Sequence, residues 1–153
     1  MIPTPKKYTL VAGFGEGKTT LNAFDAALLA SGLGNLNLLK VSSILPPGAI
    51  YREKLEIPFG TLVPTAYGSI CSTKPGTIIS AAVAVGIPSE DTFGVIMETS
   101  DCCPKSELEE RITSMVIEAF EIRKLEFQQI KVYAIEYRVI SCGAAFAGLA
   151  LWY

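Results

Sequence analysis

Apolar positions along the chain follow two spacings, and each predicts a different kind of element. Between Thr20 and Ser31, Leu21, Phe24 and Leu28 recur at helical intervals and Gly32 and Gly34 end the run, predicting a helix. A second helix is predicted from Lys105 to Phe127. Its stripe is Leu108, Ile112, Met115, Val116, Ala119 and Phe120, and Ser106 with Glu109 forms a capping box near its start. Shorter runs predict strands at 8–11, 36–41, 61–67, 69–72, 77–87, 93–98, 130–140 and 144–153. The run Ile78–Val85 also suits a helix, but its β-branched residues and the flanking Gly76 and Pro88 favour a strand. Gly13–Gly17 reads as a glycine loop, and Ile44–Phe59, with Pro46, Pro47, Gly48 and Pro58, as an exposed connection. Two helices and mostly consecutive strands predict sheets packed together with the helices outside.

Composition sharpens this picture. With 153 residues, half of them apolar and only 18% charged, the chain suits one domain whose sheets are buried on both faces and which also carries a subunit interface. No apolar run approaches the roughly eighteen residues of a membrane helix, and the N-terminus lacks the apolar core of a signal peptide. The net charge is −2 and no basic cluster exceeds Lys6-Lys7, so no nucleic-acid footprint is expected. The four cysteines form no CxxC pair, which predicts free thiols in a reducing cytoplasm and no metal site.

The absence of histidine directs the search for chemistry, because the usual imidazole route for activating a serine is closed. The serine pair Ser42-Ser43 leaves the predicted strand and stops at Pro46-Pro47, a place where backbone strain can be held. Attack by Ser43 Oγ on the Ser42 carbonyl would exchange the amide for an ester. Elimination and hydrolysis would then leave chains 1–42 and 43–153, the second beginning with a pyruvoyl ketone. The Asn37 amide is a candidate donor to the oxyanion. Asp25, on the shoulder of the first helix's apolar stripe, reads either as a helix-edge residue reaching solvent or as a carboxylate for a cationic substrate. Glu98 follows the apolar Gly94–Met97. It is either an ordinary strand-end carboxylate or a proton donor whose pKa apolar neighbours raise. A competing motif is Ala12–Thr19, whose Gly17-Lys18-Thr19 fits a phosphate-binding loop if alanine is accepted at its first position, making the chain a small nucleotide-binding module.

The same places carry a family resemblance. Leu21–Asp25, Gly34–Leu38, Ser42–Pro47, Leu62–Gly68, Thr77–Ala82, Ile96–Glu98, Ala145–Ala147 and Leu151–Tyr153 resemble the pyruvoyl-dependent arginine decarboxylases, in matching order over nearly the whole chain. The resemblance is thinnest at 49–56 and 99–106. It implies an α+β fold, a four-layer α-β-β-α sandwich in a single domain 1–153, self-cleaved from a zymogen into 1–42 and 43–153. It further implies a homotrimer, or a dimer of trimers, with active sites between subunits. Ser43 would become the covalent pyruvoyl cofactor, Asn37 would assist processing, Asp25 would meet the guanidinium, and Glu98 would be the acid. Arginine would form a Schiff base on the pyruvoyl group, lose carbon dioxide and leave as agmatine, a step in polyamine synthesis.

Overall fold

The computed structural model describes residues 1–153. Its elements run β1 (Lys7–Glu16), α1 (Thr20–Ser31), β2 (Asn37–Lys40), β3 (Ile44–Leu45), β4 (Ile50–Tyr51), β5 (Leu62–Ser72), β6 (Ile78–Pro88), β7 (Gly94–Asp101), α2 (Lys105–Arg123), β8 (Phe127–Arg138) and β9 (Gly143–Trp152). One sheet has the order β2-β5-β9-β1-β4 and the other β3-β7-β6-β8. Helix α1 covers the first sheet and α2 the second, giving the expected α-β-β-α layering.

The unbroken apolar runs are explained by this layering. In β9, Ala145, Ala147, Leu149 and Leu151 face the space between the sheets, while Ala144, Phe146 and Ala150 face α1. In β6, Ile79, Ala81, Val83 and Val85 face that same central space, while Ala82 and Ala84 face α2. Side chains alternate across a strand, so a strand covered on both faces needs apolar residues at every position. The helix reading of Ile78–Val85 falls for this reason. Each fully buried Val or Leu contributes about 1.5–3 kcal/mol, and the one buried polar residue in β6, Ser80, donates to the Cys103 carbonyl at 2.6 Å.

Several expected boundaries shift. The predicted strands 61–67 and 69–72 form one strand, β5, because Gly68 is where its backbone passes close to β7: a Cβ there would lie 2.8 Å from the Thr99 carbonyl oxygen. Helix α2 ends at Arg123, short of Phe127. Lys124 turns left-handed at φ 56°, its N–H closes on the last turn, and Phe127 starts β8 with its ring against Phe120 at 5.4 Å. The capping box does not form; Pro104 is the N-cap and no side chain caps the helix. The connection 44–59 is not wholly free of structure. β3 pairs antiparallel with β7, and β4 pairs parallel with β1.

The largest revision concerns Gly13–Gly17. Most of it is not a loop, since β1 runs through Glu16 and pairs with β9 along its whole length. The glycines are there because α1 lies directly on them. A Cβ on Gly13 would sit 2.4 Å from the Ala27 carbonyl oxygen, one on Gly15 2.6 Å from the Ala26 side chain, and one on Gly17 2.5 Å from the Ala23 nitrogen. Helix α1 answers with small residues, burying Ala23 and Ala27 beside Leu28, while Leu21 from the expected stripe is exposed.

Candidate active site

The site begins where the chain changes sheets. Strand β2 pairs with β5, and the Val41 N–H still donates to the Thr65 carbonyl at 3.2 Å. Two residues later the Ser43 carbonyl accepts from the Ile96 N–H at 2.7 Å, and Ile44 and Leu45 lie opposite Val95 and Gly94. The Ser42–Ser43 peptide is therefore strung between two sheets and tied on each side. Leu45, buried in the central core, and Pro46-Pro47 prevent the downstream segment from sliding. Ser42 is exposed, Ser43 is half-buried, and no hydrogen bond within the protomer reaches the Ser42 carbonyl.

Glu98 sits two residues beyond Ile96 in β7, across from Val83 of β6. Like Ile96 it faces the space between the sheets, by strand alternation. Burial pushes its carboxyl above the ordinary value, with the Lys40 ammonium pulling the other way. Both sequence readings of Glu98 remain readings of its role; what the structure shows is a half-buried carboxyl in the middle of β7. A half-buried carboxyl with a raised pKa keeps its proton further toward neutrality, which proton delivery requires.

Asn37 and Asp25 are placed elsewhere in the protomer. The Asn37 side chain donates to the Gly60 carbonyl at 2.7 Å and its backbone N–H to Thr61 at 2.9 Å. Ser42 lies five positions further along the chain, about 16 Å if the segment is fully extended. Asp25 is exposed on the outward face of α1, between the exposed Leu21 and Leu29 at i−4 and i+4. The structure thus brings Ser42, Ser43 and Glu98 together and holds Asn37 and Asp25 apart from them. A cavity of about 530 Å³ between the end of α1 and residues 53–59 contains none of the five.

Sequence reasoning missed the contact between Lys40 and Tyr67. The Lys40 ammonium lies 4.6 Å from the centre of the Tyr67 ring, which packs against Phe146 at 5.3 Å. A lysine in a strand and a tyrosine in the next carry no motif, and only the parallel β2–β5 pairing joins them.

Comparison with known proteins settles the family. The family model for pyruvoyl-dependent arginine decarboxylase matches residues 7–150. The chain belongs to the pyruvoyl-dependent arginine decarboxylase family. A relative of that name from Methanocaldococcus jannaschii is 48% identical over 150 residues, covering 97% of this chain and 91% of its own. One from Methanococcus maripaludis is 45% identical, covering 97% and 92%, and one from Pyrococcus abyssi is 44% identical, covering 89% and 87%. A solved pyruvoyl-dependent histidine decarboxylase shares the fold with a TM-score of 0.53 at 13% identity, covering 67% of this chain and 54% of that one. Family membership makes the chain a carboxy-lyase and removes the nucleotide-binding alternative, for which Gly13, Gly15 and Gly17 already have a packing explanation. A pyruvoyl group fits the residues present. A serine tethered on both sides follows a carbonyl free of hydrogen bonds, and a half-buried carboxyl stands nearby.

Proposed function

We propose that the chain cleaves itself between Ser42 and Ser43 and decarboxylates arginine to agmatine at the resulting Ser43 terminus. The observation that carries this reading is the Ser42–Ser43 peptide held between two sheets beside Glu98. Ser43 Oγ adds to the Ser42 carbonyl carbon, the C–N bond breaks, and an ester replaces the amide. Loss of the ester carboxylate, with a proton from the Ser43 Cα, leaves a dehydroalanine. Water then replaces its nitrogen, releasing ammonia and leaving the keto group on residue 43. That group supplies an electrophilic ketone for the substrate's α-amine and a sink for the electrons left as carbon dioxide departs. Glu98, its carboxyl raised above the ordinary value by burial, delivers the proton that the α-carbon then needs.

The remaining roles call for a second copy. Asn37 is too far along its strand to reach the Ser42 carbonyl of its own chain, and Asp25 faces outward among exposed leucines. Leu21, Leu29, Leu39, Phe59 and Leu62 are exposed apolar residues on α1, β2, the connection before β5 and the start of β5, positions suited to subunit contact. In a homotrimer, or a dimer of trimers, Asn37 would serve cleavage and Asp25 would hold the guanidinium through paired hydrogen bonds. Four free cysteines support a reducing, cytoplasmic setting, and the product would enter polyamine synthesis.

Intact mass and product analysis test the proposal together. The purified chain should appear as fragments 1–42 and 43–153 and release carbon dioxide from arginine. Ser43→Ala should remain whole and inactive. A continuous wild-type backbone under all conditions would overturn the reading.

A further inference from the structure

We propose that the Ile96 backbone N–H is a catalytic donor of this site, meeting the negative charge that gathers on the residue 43 carbonyl oxygen as carbon dioxide leaves the substrate. This rests on the roles given to Ser43 and Glu98 above. The Ile96 N–H donates to the Ser43 carbonyl at 2.7 Å, the short end of the range for an amide donor. Both ends of that bond lie after the proposed cleavage point, within 43–153, and so do the paired residues beside it, Ile44 with Val95 and Leu45 with Gly94. The tether on the other side, from the Val41 N–H to the Thr65 carbonyl, joins the two fragments instead. Cleavage therefore frees residue 43 on its amino side and leaves its carbonyl held.

The chemistry needs a donor at that oxygen. When the bond between the substrate's α-carbon and its carboxylate breaks, carbon dioxide leaves and the electron pair stays behind on the α-carbon. The pair spreads through the substrate nitrogen, bonded to the former keto carbon, onto the adjoining carbonyl oxygen. It returns to the α-carbon with the proton from Glu98. A donor already in place where charge develops costs no reorganisation at the moment of reaction. Ile96 meets that condition. Its side chain is fully buried, and β7 is paired with β6 from Val95 to Asp101, so the donor cannot drift. Glu98 lies two residues along the same strand, about 7 Å away, on the face to which the Ile96 side chain points. One rigid strand thus carries both the N–H that meets the developing charge and the acid that ends it.

The test exchanges the amide between Val95 and Ile96 for an ester, which keeps the Ile96 side chain and removes its N–H. Per cleaved chain, kcat for arginine should fall about 10²–10³-fold, the scale of one lost oxyanion donor, with KM little changed, because the bond strengthens only as charge develops. An unchanged kcat, or a loss carried by KM alone, would overturn the proposal. Hydrogen exchange followed by NMR supplies a measurement that does not depend on turnover. The Ile96 amide should be protected in the uncleaved Ser43→Ala chain and equally in the cleaved wild type. Exchange that becomes fast on cleavage would overturn the proposal even where the ester chain fails to fold or to cleave. A wild type that never cleaves removes the Ser43 reading. A cleaved, active wild type matched in kcat by the ester variant removes the Ile96 assignment alone.

Discussion

Glu16 ends a strand of one sheet and Glu98 lies within a strand of the other, and the protein treats them in opposite ways. Burial would raise the Glu16 carboxyl, but four donors outweigh it and hold it below the ordinary range. They are the N–H groups of Ile140 at 2.6 Å, Cys142 at 2.8 Å and Ser141 at 3.4 Å, and the Tyr137 hydroxyl at 2.8 Å. Phe14 stacks on the same tyrosine at 4.4 Å. The carboxylate thereby fastens the end of β1 to the turn between β8 and β9. Glu98 accepts no such bond, and its carboxyl is held above the ordinary range by burial, with Lys40 in partial opposition. One region uses a charge to stabilise the fold; the other carries a charge the fold disfavours, as a proton donor needs.

Glu98→Gln should show the contrast most strongly. Cleavage should still produce both fragments, while arginine decarboxylation falls about 10²–10⁴-fold, the scale of a lost general acid. The stability effect has a definite sign. A carboxyl raised in the folded state contributes full stability below its unfolded pKa and loses it as pH rises through the folded one. The amide removes that loss, so the variant should melt higher than its parent at pH 7 and level with it in acid. A lower melting temperature at pH 7 would mean that Glu98 is a structural carboxylate like Glu16.

The stability variants are best compared in the Ser43→Ala background, where each is one continuous chain. Gly13→Ala, at the structural end of the comparison, should lower the melting temperature by roughly 3–10 °C, since overpacking against helix backbone costs about 1–3 kcal/mol. Glu16→Gln should cost roughly 2–6 °C at neutral pH through its weakened hydrogen bonds. Here the sign reverses. A carboxyl lowered in the folded state stabilises above its unfolded pKa and loses that contribution as pH falls through the folded one, so the deficit should shrink in acid. Equal deficits at every pH would remove the charge from the explanation. Lys18→Ala should do least, shifting melting by under about 2 °C with no response to added nucleotide.

Much of the architecture was legible beforehand, for local reasons. Both helices followed from spacing, and the strand assignment of Ile78–Val85 rested on β-branched residues that suit a pleated, doubly covered surface. The errors share one cause. Gly13, Gly15 and Gly17 read as a loop because glycine is permissive, yet they serve the approach of a helix brought from later in the chain. The Glu16 donors lie more than 120 residues away, and no spacing rule spans that distance.

For the site, the chain alone determined which groups are available: no histidine, a serine pair between a strand and a double proline, and an acid ending an apolar run. Family likeness assigned them roles. Tertiary structure decided which of them meet. It strung 42–43 between two sheets, set Glu98 two residues beyond the strand position that tethers Ser43, and left Asn37 and Asp25 apart from them. Charge and burial depend on neighbours in space, and neighbours that arrive from separate strands leave no mark on local sequence.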